Sequence, residues 1–303
     1  MIRPKFCLFI IAFLSLPALG QAPAEPFPQT LVSWTADAAN PVFQGAGGDA
    51  WDRKIRERGW IMVEDGVFHL WYTGYNEKRS PNRMLLGHAT SPDGVHWTRD
   101  PKNPIHAGSW IEDMCIIKDG DSYIMFAEGK NDVAHSLISP DGITWAELGP
   151  LDVRKTDGQP IEPGPYGTPT VWVEVGVWNL FYERGDQGVW LARSKDRRVW
   201  TNVQDEPVLA MGPDAYDRHA VAMNQIIKRD GVYYGFYHAN ASKPWTDWTT
   251  CVARSRDLIH WSKYSGNPII TNNSSSGILV DAPTGARFYT MHPEVRLYHP
   301  PGQ

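Results

Sequence analysis

The chain is poor in the features that would direct its reading elsewhere. It has three cysteines in 303 residues, too few for a disulfide framework or a cysteine-built metal cluster. Beyond the first twenty residues, no apolar run is long enough to cross a bilayer. No basic stretch occurs, and 29 Lys and Arg against 34 Asp and Glu leave a formal charge of -5. That balance argues against nucleic acid or an anionic membrane surface as partner. What the chain does have is punctuation and aromatics: 27 Gly, 24 Pro, 14 Trp and 12 Tyr. Such a composition suits many short strands joined by tight turns.

Residues 1–20 read as an export signal. Arg3 and Lys5 give a positive start, Phe6 to Leu16 an apolar stretch, and Ala18-Leu19-Gly20 a small-residue cleavage site. The expected location is therefore secreted or periplasmic. Cys7 leaves with the signal, and Cys115 and Cys251, each in a strand-like run, are expected as buried thiols. Residues 21–303 are then one domain.

That domain repeats. Five tryptophans (Trp34, Trp97, Trp145, Trp200 and Trp261) are each followed within seven residues by a proline. Four of them close similar segments: Ala89 to Trp97, Ser136 to Trp145, Ala192 to Trp200 and Ala253 to Trp261. Self-similarity at roughly 50 to 60 residues marks a radial repeat. Each period carries an apolar run, a turn such as Asp65-Gly66 or Asp230-Gly231, and an aromatic run such as Phe68-His-Leu-Trp-Tyr72. A third run then leads into a Ser-x-Asp turn. The pattern predicts an all-β, five-bladed β-propeller of four-stranded antiparallel blades. Leu31-Val-Ser-Trp34 lacks strands before it, and the last period lacks its Trp, so an N-terminal strand is expected to close the last blade.

In such a ring, the start of the first strand and the end of the second open on one mouth of the axis. Aligning the repeats collects Asp52, Asp113, Glu128, Glu183 and Asp217 there, with Arg53, Arg218, His219 and His238. Asp93, Asp141, Asp196 and Asp257 recur evenly in the outer turns and read as scaffold. Carboxylates crowded into one cleft push their pKa values apart, which is what cleaving a glycosidic bond requires. Trp51, Trp60, Trp110, Trp172 and Trp245 suit stacking on sugar rings, and His219 and His292 could orient a carboxylate or act as acid. The plainer reading pairs Asp52 and Asp217 with Arg218 and Arg53 as salt bridges at the blade entries.

The chain resembles the five-bladed propeller glycoside hydrolases, broadly families 43, 32, 68, 117 and 130. The likeness rests on the Trp51-Asp52 entry, the Gly66-Val-Phe-His-Leu-Trp-Tyr-Thr-Gly74 strand, and the Ser-Pro-Asp-Gly-x-x-Trp and Asn-Pro-Ile closures. It implies an acid on each of the first three blades: a base or nucleophile, an orienting aspartate and an acid. Asp52 matches the first and Asp113 the second. At the third the chain departs, with Gly167-Thr168-Pro169, and Glu183 or the upstream Glu162 is left as the acid. The expectation is a carbohydrate substrate cleaved by Asp52, Asp113 and Glu183. Trp51, Arg53, Glu128, Glu162, Asp217, Arg218, His219, His238 and His292 are expected to bind it. No cofactor is expected, a structural divalent ion in the channel is left open, and the oligomeric state is undetermined. A non-catalytic sugar-binding propeller, a glycoside phosphorylase and a sialidase-like enzyme are the competing readings.

Overall fold

The computed structural model describes residues 26–243 and 245–302; the export-like segment and Cys7 lie outside them. Its strands form five blades around an axis. Blade 1 is built from Lys54–Glu64, Val67–Tyr75, Leu85–Ser91 and Thr98–Arg99, in order from the centre outward. Blade 2 is Glu112–Asp119, Ser122–Glu128, Ala134–Ser139 and Ala146–Pro150. Blade 3 is Gly167–Glu174, Val177–Glu183, Gly188–Ser194 and Val199–Asn202, widened by Asp152–Arg154 and Leu209–Ala210. Blade 4 is Ala220–Arg229, Val232–Asn240, Thr249–Ser255 and Trp261–Lys263. Blade 5 takes Ile278–Ala282, Gly285–Thr290 and Arg296–His299 from the C-terminal end of the chain and Thr35–Ala36 from the N-terminal end.

The ring thus closes through its first strand, with Thr35 opposite His299 and Ala36 opposite Tyr298. The His299 ring and the Asp37 carboxylate, 2.7 Å apart, fasten the same seam. The hairpins at Asp65-Gly66 and Asp230-Gly231 turn where the sequence predicts, and Val175-Gly176 adds a third of the same kind. Asp65-Gly66, Val175-Gly176 and Asp230-Gly231 all have positive φ at both residues, the backbone that matches a twisted two-residue hairpin.

The repeated motifs have local mechanical roles. In each Ser-x-Asp turn the aspartate accepts backbone N–H groups, as Asp93 does from Val95 at 2.9 Å and His96 at 2.8 Å. Asp141, Asp196 and Asp257 do the same, so all four belong to the scaffold. The Asn-Pro closures clamp the third strand. Asn103 donates to His88 O at 2.8 Å and accepts from His88 N at 2.8 Å. Asn267 does so with Val252, and Asn40 with Leu297. An amide side chain there substitutes for the missing strand backbone. Cys115 and Cys251 are both free and buried, on blades 2 and 4.

On the axis stands Arg58, with no solvent exposure. Its guanidinium donates to Met114 O at 3.0 Å, Pro169 O at 2.7 Å, and Met223 O and Asn224 O at 2.9 Å each. It also donates to Asp113 O and Thr170 Oγ1. One side chain of blade 1 therefore holds the inner strands of blades 2, 3 and 4. The inner strands are sheet edges facing the axis, and they bulge at that level, between Glu112 and Cys115, Gly167 and Thr170, and Met223 and Gln225. Replacing Arg58 by Met leaves several buried carbonyls without a donor, at about 1–3 kcal/mol each. Chemical denaturation of Arg58→Met should show a loss of at least about 3 kcal/mol; a loss below about 1 kcal/mol would remove Arg58 from its central role.

Candidate active site

The bulges also aim side chains. Pairing across the first hairpins sets Arg56 opposite Thr73, Glu112 opposite Glu128 and Gly167 opposite Glu183. The residue after each of these leaves the ladder with positive φ: Glu57 at 58°, Asp113 at 43° and Thr168 at 44°. Such backbone is costly for residues with a β-carbon and clusters where a site over-determines it. These positions open into a cavity of about 740 Å³ at the mouth of the axis, lined from all five blades. Asp132, Asp186 and Glu294 add acids to its wall, and Trp245, Trp248, His238 and His292 line it as well.

The acids do not share one ionisation state. Glu57 is half-buried, and its desolvation favours the proton, but the nearby His292 and the guanidinium of Arg56 outweigh that and hold it well below the carboxylate range. Arg56 Nε lies 2.7 Å from Glu57 Oε1, and His292 Nδ1 lies 3.5 Å from Glu57 Oε2. Glu183 is the opposite case. Burial, then the charge of Asp186, pushes it up to about 7, against backbone donations from Asp186 and from Gly167 at 3.0 Å. Asp186 rises to about 6, by burial and then the charges of Asp132 and Glu57. Asp113 and Glu128 are also pushed well up, by burial first; the next cause is the charge of Glu57 for Asp113 and of Asp113 for Glu128.

Behind the wall, burial raises Glu112 to about 7 although Arg56 lies 3.0 Å away and the Trp110 indole donates to it. His238 is lowered to about 4 by burial. It meets Asn224 Nδ2 at 3.0 Å through Nδ1, which fits a neutral ring carrying its proton on Nε2. Gly167 makes the acid pair fit: a β-carbon there would lie 2.1 Å from Glu128 Oε2 and 2.7 Å from Glu183 Oε1.

Six of the residues expected from sequence meet in this cavity: Asp113, Glu183, Glu128, Arg53, His238 and His292. Six others do not line it. Asp52 is buried inside blade 1, where it accepts from Arg99 Nε at 2.7 Å and the Tyr72 hydroxyl at 2.9 Å. Asp217 is its counterpart in blade 4, bonded to Lys263. Both are anchors joining a blade entry to the outer strand, with Arg99 and Lys263 as partners rather than Arg218 and Arg53. Trp51 stacks on Tyr72 within the same anchor, at 5.9 Å and 25°. Glu162 is exposed beside Lys155 at 3.2 Å. Arg218 is exposed, and His219 pairs through its backbone with Asn240 O at 3.0 Å.

Sequence reasoning missed Glu57, Arg56, Asp132, Asp186 and Trp248, whereas Trp245, one of the aromatics suited to stacking on sugars, lines the cavity as well. Glu57 had a signal, since it follows the residue opposite Thr73 as Asp113 follows the one opposite Glu128. Among the described residues, no group of three His, Cys, Asp or Glu side chains is arranged to hold a metal ion. Nor is any helix among them long and apolar enough to cross a membrane.

No family model and no curated protein matches this sequence. Solved structures do share its fold. A glycosyl hydrolase from Bacteroides ovatus matches with a TM-score of 0.71 at 15% identity, over 90% of this chain and 95% of that one. The same figures hold for a structure reported under the family 130 mannoside phosphorylases, a family said to contain glycoside hydrolases that target β-1,2 mannosidic linkages in Candida mannan. A family 43 protein from Bacillus licheniformis matches with a TM-score of 0.57 at 16% identity, over 83% of this chain and 50% of that one. At such identities the likeness is one of fold.

The raised Glu183 can be read in stability. Folded, it keeps its proton to about pH 7, whereas an unfolded glutamate releases it near about 4.3. Between those values the folded state binds more protons, so the contribution of Glu183 falls as pH rises. From pH 4.5 to 8, wild type should lose about 2 kcal/mol or more relative to Glu183→Gln by chemical denaturation. A relative gain across that range would refute the assignment.

Proposed function

We propose that the protein is a glycoside hydrolase that cleaves the terminal unit of an oligo- or polysaccharide in the axial cavity, outside the cytoplasm. One observation carries the reading. The same cavity holds Glu57 ionised and Glu183 protonated to about 7, each by an identifiable environment. Glu183 gives its proton to the glycosidic oxygen as the bond to the anomeric carbon breaks. Glu57 either takes a proton from the attacking water or attacks the anomeric carbon itself. Asp113, beside both Glu57 and the Arg58 backbone N–H at 3.2 Å, tunes the pair rather than reacting. The propeller fold shared with glycoside hydrolases supports the same reading.

Water is the favoured acceptor. Each cation lining the cavity already faces a carboxylate: Arg53 and Lys54 face Glu77 at 3.7 and 3.1 Å, and Arg56 faces Glu57 and Glu112. Glu57 lines the same wall ionised, a fixed negative charge that repels phosphate. Terminal cleavage is inferred from the pocket shape, enclosed by five blades and flanked by Trp245. That ring is 42% exposed and stacks on Trp248 at 5.8 Å and 12°, an aromatic face suited to a sugar ring. Export is inferred from the pattern of residues 1–20.

The test is a glycan panel. Wild type should release a terminal sugar from at least one member. Glu57→Gln and Glu183→Gln should each lower kcat by about 10²–10⁴ while still binding that glycan. Turnover should decline as pH passes upward through about 7, where Glu183 loses its proton. Binding without turnover by wild type would favour a sugar-binding propeller instead. Trp245→Ala should raise KM about fivefold or more with kcat nearly unchanged; an unaltered KM would discard the stacking role.

A further inference from the structure

A second cavity, of about 530 Å³, lies beside the first, where blade 1 meets blade 2. Its volume falls in the range of about 300–1,000 Å³ usual for small-molecule sites. A single turn separates the two. Glu128 and Asp132 line the axial cavity, while Gly129, Lys130 and Val133 of the same turn line the second. Trp110, half-buried, forms an aromatic wall of this second cavity. It is held at both ends. Its indole N–H donates to Glu112, and its carbonyl meets the His135 ring at 3.0 Å. Glu112 meets Arg56 at 3.0 Å, and Arg56 bonds Glu57. A chain of direct contacts thus runs from Trp110 to the ionised carboxylate of the axial cavity. Asn82 and Lys130, both exposed on the second cavity, make no side-chain bond within the described residues.

We infer that the second cavity is a saccharide subsite, taking a sugar unit on the leaving-group side of the bond broken in the axial cavity. The occupant is argued from chemistry and continuity. A fixed indole in the lining suits the apolar side of a pyranose, and free amide and ammonium donors beside it suit hydroxyl groups. A chain lying across the 128–133 turn would occupy both cavities at once. The preferred ligand is therefore an oligosaccharide of several units, and short substrates lose the contribution of Trp110. The assignment of a leaving-group side rests on the glycosidase reading; sugar binding in the second cavity does not.

The experiment separates the two. Cello-, xylo-, malto- and β-1,2-linked manno-tetraoses and their monosaccharides are titrated by calorimetry against full-length Glu57→Gln protein, alone and combined with Trp110→Ala, Trp110→Phe or Lys130→Ala. At least one tetraose should bind. Trp110→Ala and Lys130→Ala should weaken it about tenfold and about threefold, Trp110→Phe should restore most of the first loss, and monosaccharide binding should not change. If no tetraose binds, or if Trp110→Ala and Lys130→Ala bind it as tightly as the parent while their melting temperatures match, the subsite is refuted. If the tetraose effects appear but Glu57 retaining its carboxylate gives no turnover, the subsite stands and the glycosidase reading falls.

Discussion

Everything near the axis depends on Arg58 being satisfied by backbone. A buried guanidinium carries five N–H donors and has to find acceptors for them. Here no carboxylate oxygen is bonded to it among the described residues; carbonyls of blades 2, 3 and 4 do most of the work. The inner strands have a ladder partner on one side only, and the bulges at this level bring carbonyls of three blades onto the one guanidinium. The bulges also lift Glu57, Asp113 and Thr168 out of their strands with positive φ and turn that level of the ring toward the cavity. The interaction that closes the channel therefore fixes the geometry of the acids above it.

The blades divide their labour accordingly. Blades 1 and 4 each carry a buried aspartate tied to a cation on the outer strand, Asp52 with Arg99 and Asp217 with Lys263. Blades 2 and 3 carry the protonated acids. At the third blade the bulge offers Thr168 rather than a carboxylate, and its N–H donates to Glu128 at 2.8 Å. The carboxylate that its place in the ring calls for comes instead from the end of the second strand, as Glu183. This exchange demands Gly167, since any β-carbon there would collide with both Glu128 and Glu183.

The architecture was legible because it is written in period and punctuation. Trp-to-Pro spacing, Asp-Gly turns and Ser-x-Asp segments are local, repeated and insensitive to neighbours. The split fifth blade followed from which period lacked which part, and Thr35–Ala36 pairs with Arg296–His299 accordingly. Glu128 and Glu183 were legible because a strand end fixed them, and Asp113 because an acidic pair enters an apolar strand. Asp52 was chosen over Glu57 because alignment on the hairpin turn assumes regular strands. Blade 1 inserts three residues between Arg56 and Trp60 against a single one opposite, Tyr72, and no residue pattern announces a bulge of that size. Asp132 and Asp186 escaped for a related reason: they sit in turns whose direction is set by tertiary contact, with φ of 56° and 60°.

The cavity's charge then follows from which acid captured the cations. Glu57 alone among its acids has both Arg56 and His292 beside it, and it takes the negative charge. Once ionised it raises Asp113 and Asp186, and its effect reaches Glu112 behind the wall. Asp113 and Asp132 in turn help raise Glu128, and Asp132 and Asp186 help raise Glu183. Burial first, and the charges within the cluster second, keep these acids protonated at pH values where free carboxyl groups would have released their protons. On the glycosidase reading this arrangement serves both halves of the reaction. It leaves Glu183 a proton to give, and it sets a fixed carboxylate beside the developing positive charge on the sugar. The acid cluster is therefore one coupled system, centred on Glu57 and held in place by the bulges around Arg58.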